Sequence, residues 1–535
     1  MSLSDGVLAG FAALEQAFQL NPVQVLRSTC KIGTRRETAE RLGFLVETFP
    51  PAYRPDDTLR GHFEFGLKYD LLNFEWLSRL FHRVDPAWIE DWVRDTPNSL
   101  YARKTGFLYE WFTGKTLDVA PRITIGYEPI LAADRYLCAA TGNRVSRWRI
   151  EDNLPGTRDW CPLVRLTDEL ERATDYDLKV EIDSLDEQFG AELLMRSAAW
   201  LTFNESRASF ALEREGDRTS DIQRFASAMR EHCGRIEDPL SEESLGQMQA
   251  DILGPRRLRQ GTRQSPVFVG SAAHHDAVIV HYIAPPPDML ASLMAGLRHF
   301  AQATGPMESS QGHVASRQSL LRAAALSFGF IYIHPMADGN GRIHRMLIND
   351  TLLRDELIPQ GVIVPISATI AGRSSLRGDY EKCLNLLSLP FMRRYSRDYA
   401  FDKEVAHPDG VVSDLRFDAA QDAEPAWRYP DLTAHAVYIA RVILVTVKEN
   451  MAQEALYLVR HDEAKRRIKQ IFEMPDLDAD AIIRSIRENQ GKISNKLRAS
   501  SRGKVFEDPV VADEIVLAIR QAFDDKLDQD PTPPR

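Results

Sequence analysis

The stretch RQSLLRAAALSFGFIYI, a long apolar helix, runs directly into HPMADGNGRIHRMLINDTLL, which opens on loop residues and then resumes helical spacing. That junction constrains the fold more than any other feature of the chain. The glycines flanking Asn340 permit a tight backbone turn and present several N–H groups together. Because the residues after them start a helix, the turn also lies at a helix N-terminus, where an anion is favoured. The sequence therefore predicts a phosphate cradle at residues 339–341.

The chain is 535 residues long, and at roughly 100–200 residues per domain it has room for about three or four domains. Residues 1–165 alternate aromatic-rich amphipathic segments such as FEFGLKYDLLNFEWLSRLFHRV with turn-rich pieces such as FPPAYRPDDTL, and predict a helical N-terminal module. Residues 166–400 form the expected core. Within it, TDELERATDYDL, FGAELLMRSAAWLTF and RASFALERE read as successive helices, and SPVFVGSAAHHDAVIVHYIAPPP reads as a hairpin ended by three prolines. Residues 401–431, rich in Asp, Pro and Ala, read as a linker. Residues 432–535 read as a helical C-terminal module with a fraying end.

Lys and Arg number 66 against 77 Asp and Glu, for a net charge of −11, so no overall basic field draws the chain to nucleic acid or anionic lipid. The five cysteines are scattered and form no Cys-x-x-Cys pair, which argues against a disulfide framework or structural zinc and for a reducing compartment. The opening MSLSDGVLAGFAALEQAFQL lacks a basic n-region and reads as an amphipathic helix, and no apolar run reaches the roughly 18 residues of a membrane span. The expectation is a cytoplasmic protein without a membrane partner.

The twelve residues from His334 to Arg345 hold a base, an acid, two glycines and two arginines. Arg342 and Arg345 stand three apart on the new helix and so share a face, from which each can fork onto phosphate oxygens. Asp338 is placed to hold a Mg²⁺ that bridges the same phosphates. His334, with an ordinary pKa near ~6.5, suits removal of a proton from a hydroxyl. A P-loop is excluded because no Gly-Lys-Ser/Thr follows the glycines, and a zincin because there is no His-Glu-x-x-His.

This stretch resembles the Fic family signature, His-x-Phe-x-Asp/Glu-Gly-Asn-Gly-Arg-x-x-Arg, at every polar position. The resemblance implies a mainly α fold: a Fic-type helical core with a small β-hairpin flap at 266–283, flanked by the helical N- and C-terminal modules. It implies transfer of AMP from ATP to a protein hydroxyl. His334 would deprotonate the hydroxyl and Asp338 would bind Mg²⁺, while Asn340 with the backbone of Gly339 and Gly341 would form an anion hole. Arg342 would grip the α- and β-phosphates and Arg345 the γ-phosphate. The departure is Met336, where the family usually has Phe. Met fills such a space more flexibly, so a looser loop is expected.

Two further segments agree with the family. The hairpin Val267 to Tyr282 looks like the flap on which a target protein, the chain itself included, would dock by β-augmentation. SRASFALERE looks like the inhibitory helix motif Ser/Thr-x-x-x-Glu-Gly/Asn, expected near 205–216, with Ser209 and Glu213 matching and Arg214 in place of Gly or Asn. A carboxylate at 213 aimed at Arg345 would occupy the fork that the γ-phosphate needs. His274, His275 and His281 in the hairpin region read as solvent-facing or packed. Alternatives are transfer of another phosphate-containing group, removal of AMP from a modified target, or, in a different class, nucleic-acid binding through Lys492, Lys496, Arg498, Arg502 and Lys504. Nucleic acid is the disfavoured partner, and a homo-oligomer stays open.

Overall fold

The computed structural model of the chain describes residues 6–41, 43–213, 219–254, 259, 261–272, 278–306 and 312–523. Its apolar side chains gather mainly into an aromatic N-terminal cluster, a large central cluster and a small C-terminal one, and these fix which segments fold together. The protein is mainly α.

In the N-terminal region the helices Leu59–Tyr69, Phe74–Arg83, Ala87–Asp95 and Leu100–Thr113 interlock through rings such as Phe81 and Tyr109, edge-on at 5.8 Å. Besides its helices this region carries a four-stranded and a three-stranded sheet. The opening segment is a strand, Val7–Ala9, and a helix, Phe11–Phe18, parted at Gly10 with φ 66°. At this left-handed glycine the chain turns, and the Phe11 N–H donates to the buried Asp70 carboxylate at 2.8 Å.

The centre is organised by the helix Gly312–Ile333, buried nearly all round and packed against Leu290–Ala303, Asn340–Arg354 and Thr433–Val445. Its Ala323-Ala324-Ala325 run has no exposed surface, and a Cβ at Gly329 would collide with the ring of Trp160, so small residues let the neighbours close in. FGAELLMRSAAWLTF and RASFALERE, expected as two helices, are one helix, Ala191–Leu212. No Gly or Pro lies between them to break it.

Residues 401–431 are no linker. Tyr399–Ala406 pairs antiparallel with Val412–Phe417, and the helix Ala420–Arg428 buries Trp427 against Phe391 at 5.3 Å. The aspartates that suggested a loop are anchors. Asp409 accepts from Ser265, Asp422 from Arg79, Arg394 and Tyr395, and Asp431 from Arg165 and the Thr433 N–H. The boundary expected at 432 also moves, because Ile439, Ala440, Val442 and Ile443 belong to the central cluster and the C-terminal cluster begins at Ala464. Helix Ala452–Ile471 joins the two, and Asp462 on it accepts a forked pair of bonds from Arg196 at 2.6 and 3.0 Å. Among the described residues no helix is long and apolar enough to cross a membrane.

Candidate functional site

The central helix ends at His334, whose φ of 52° is in the left-handed region that non-glycine residues seldom adopt. The surroundings over-determine that conformation. Met336 is bridged to Thr262, the Ala337 N–H donates to the Gly261 carbonyl at 3.1 Å, and the Asp338 carbonyl accepts from Gln249 at 2.8 Å. The Asn340 side chain closes the loop on itself, accepting from the Met336 N–H at 2.9 Å and donating to the Met336 carbonyl at 2.8 Å. What Asn340 offers an anion is therefore its backbone. Met336 is buried in the central cluster and tied at both backbone groups, so its side chain fills the anchoring place that Phe was expected to hold.

Gly339, at φ 85°, caps the next helix, Asn340–Arg354, whose first N–H groups have no partner within the helix. His334 is half-buried beside them. Burial first, and then the positive charge of Arg263, push its pKa down to about 4, against the Ile331 carbonyl and Asp338, which pull it up. The imidazole is thus neutral, well below the ordinary value assumed from sequence. Its Nδ1 lies 3.3 Å from the Ile331 carbonyl, which can only accept, so Nδ1 carries the hydrogen and Nε2 is the free base.

Both arginines turn toward the end of the Ala191–Leu212 helix. Arg345, 4% exposed, donates from Nε to Ser209 Oγ at 2.8 Å and from Nη2 to the Ser209 carbonyl at 3.2 Å and to the Glu213 carboxylate. The other Glu213 oxygen lies 3.5 Å from Arg342 Nε, while the Arg342 guanidinium rests over Phe210 at 4.8 Å. One carboxylate therefore spans both arginines, a contact with Arg342 beyond the single pairing expected. It also sits on the helix start, since a Cβ built at Gly341 would collide with it. Arg214 lies outside the described residues.

Asp338 accepts from the Gly339 N–H at 2.7 Å, stands 3.7 Å from Arg342 Nη2 and is partly exposed. Among the described residues no three His, Cys, Asp or Glu gather into a metal cage. Mg²⁺ is commonly held by one or two carboxylates together with substrate phosphates. A single part-exposed carboxylate beside a phosphate cradle is a donor set of that kind.

The flap is an antiparallel hairpin, Phe268–Ala272 with Val278–Ile283, on which Val269, Val278 and Ile279 are exposed. His281 bonds Ser271 at 2.8 Å, and His274 and His275 fall outside the described residues. Sequence reasoning missed Gln249 and Arg263. Arg263 donates from Nε to the His334 carbonyl at 2.6 Å. Both act on backbone carbonyls, which leave no trace in residue type.

Residues 239–352 match the family model described as Fic/DOC family. Over 115 residues, 22% of this chain, the sequence is 30% identical to a protein adenylyltransferase Fic of Drosophila virilis and 32% identical to that of Drosophila mojavensis. The match spans about a fifth of those relatives' length, 21% in each. A solved Fic family protein from Desulfovibrio desulfuricans G20 aligns with 57% of this chain and 80% of its own, at 18% identity and a TM-score of 0.34.

Proposed function

We propose that this chain, which carries a Fic/DOC-family domain at residues 239–352, is an autoinhibited protein adenylyltransferase that moves AMP from ATP to a hydroxyl side chain of a target protein. The observation that supports the reading best is Glu213 lying across Arg342 and Arg345 at the start of a helix that His334 overlooks. The name shared by the Drosophila relatives agrees with it.

In this mechanism His334 Nε2 takes the proton of the target hydroxyl, the oxygen attacks the α-phosphorus, and the bond to the bridging oxygen breaks to release pyrophosphate. The N–H groups of residues 339–341 and the guanidinium of Arg342 receive the charge on the α- and β-phosphates, and Arg345 receives the γ-phosphate. Asp338 would hold Mg²⁺, which supplies charge neutralisation on the phosphates. A target protein, the chain itself among the candidates, docks on the exposed flap strands. With Glu213 on the arginines the γ-phosphate has no fork to enter, and activity is low until the carboxylate leaves.

The test is incubation of the Glu213→Gly chain with lysate proteins, Mg²⁺ and ATP labelled at either the α- or the γ-phosphate. Protein-bound α-label without γ-label is the expected result. γ-Label alone would make the transferred group a phosphoryl, and no label with salt-sensitive DNA binding would favour the nucleic-acid reading.

A further inference from the structure

Arg263 lies just before the flap and is 1% exposed, yet among the described residues it forms no ion pair with a carboxylate. Its guanidinium is spent on backbone carbonyls. Nη1 donates to Ser265 at 2.9 Å, at the start of the flap, and Nη2 to Pro285, at its end, while Nε donates to His334 at 2.6 Å. A weaker bond from Nη2 reaches Ile333 at 3.3 Å. One planar fork thus joins both feet of the flap to the backbone of the base. Asp409, 5% exposed at the turn of the Tyr399–Phe417 hairpin, braces this arrangement. It accepts from the Gln264 N–H at 2.6 Å and from Ser265 Oγ at 2.7 Å. Burial would raise its pKa, but these bonds outweigh burial and hold it below the ordinary value, so the carboxylate is charged.

We propose that Arg263, braced by Asp409, is the positioning residue that holds His334 in its left-handed conformation and in fixed register with the flap on which the target docks. The inference rests on the transferase reading. His334 is the residue that touches the hydroxyl, whereas Arg263 acts through its carbonyl. The geometry explains why arginine is needed: a lysine ammonium keeps the charge but is a single point, without the planar fork that reaches three separated carbonyls. Release of that register displaces the imidazole relative to the hydroxyl, and a misplacement of about 1 Å costs on the order of 10²-fold in rate.

The experiment compares Arg263→Lys, Asp409→Ala and their combination, each in the Glu213→Gly background, by kcat, KM for ATP and thermal melting. For Arg263→Lys the expected result is a fall in kcat of about 10²-fold with KM for ATP within about three-fold, because the nucleotide cradle is built from other residues. Asp409→Ala should lower kcat less, and the double variant should fall short of the product of the two, since both act on one contact. Arg263→Lys with unchanged kcat would overturn the proposal. So would a kcat loss in all variants that simply follows melting and is recovered on cooling. If the Glu213→Gly parent transfers no AMP, the transferase reading itself fails, which separates the two failures.

Discussion

Two arginines, Arg345 and Arg263, are almost fully buried beside the same loop, and they differ in what they hold. Arg345 is bound by side chains, Ser209 Oγ and the Glu213 carboxylate, and by one carbonyl of the same helix. Arg263 is bound by backbone carbonyls at both feet of the flap and at His334. A phosphate can compete with a carboxylate for a guanidinium fork, because it offers the same charge-assisted bonds. No ligand replaces a carbonyl of the chain's own backbone. The site therefore has one exchangeable wall and one fixed wall, and an arginine can serve either purpose according to its partners.

The largest expected effect tests what the fixed wall is for. His334→Ala should lower transfer by roughly 10²–10⁴-fold, the usual worth of a general base, while calorimetric ATP affinity stays within a few-fold. Equal transfer by that variant would leave the fixed wall with nothing to position.

The two walls also differ in their buried acids: Asp409 behind Arg263 is held below its ordinary pKa, whereas the acid of the exchangeable wall is pushed up. Glu205, one turn before Ser209 and 1% exposed, accepts from the Ser367 N–H at 2.6 Å, and burial raises its pKa from 4.5 to about 7. Between those values the folded chain holds a proton that the unfolded chain has lost, so stability is fully present below pH 4.5 and declines as pH rises toward 7. At about 1.4 kcal/mol per pKa unit the decline amounts to no more than about 3.5 kcal/mol. Denaturant titrations of Glu205→Gln should show that slope flattened. An unchanged slope would mean that Glu205 is not the group that titrates between those values.

The smallest effect in free energy bears directly on exchange. Glu213→Gly should raise initial labelling by ten-fold or more, each ten-fold being about 1.4 kcal/mol. Glu213→Gly/Arg345→Ala should gain little over Arg345→Ala alone, as coupled residues do. Equal rates for the parent chain and Glu213→Gly would show that both walls are fixed.

The twelve-residue segment could be read from sequence because its chemistry is contiguous: the turn demands Gly339 and Gly341, and the helix that follows sets Arg342 and Arg345 on one face. Ser209 and Glu213 could be read only through the resemblance of SRASFALERE to the inhibitory motif, since a four-residue spacing on a helix does not name a partner far along the chain. Arg263 and Gln249 could not, since they recognise backbone groups that every residue possesses, and Asp409 could not because its donors, the Gln264 N–H and Ser265 Oγ, lie far away in the sequence. The 401–431 segment was misread for a related reason. Aspartate marks loops when it faces only water, and here Asp409 and Asp431 face donors inside the fold, while Asp422, half in water, is still tied to Arg79, Arg394 and Tyr395. The lowered pKa of His334 was hidden as well, because burial is a property of the assembled core.

Gly341 bears on which single changes would relieve the proposed inhibition. A Cβ there meets the Glu213 carboxylate, so a larger residue would force that side chain to move. The same methyl group would fill the space above the first helical N–H groups that a phosphate needs. On the proposed autoinhibition, substitution at 341 would remove brake and substrate together, which makes position 213, or its support at 209, the place to seek a single activating change.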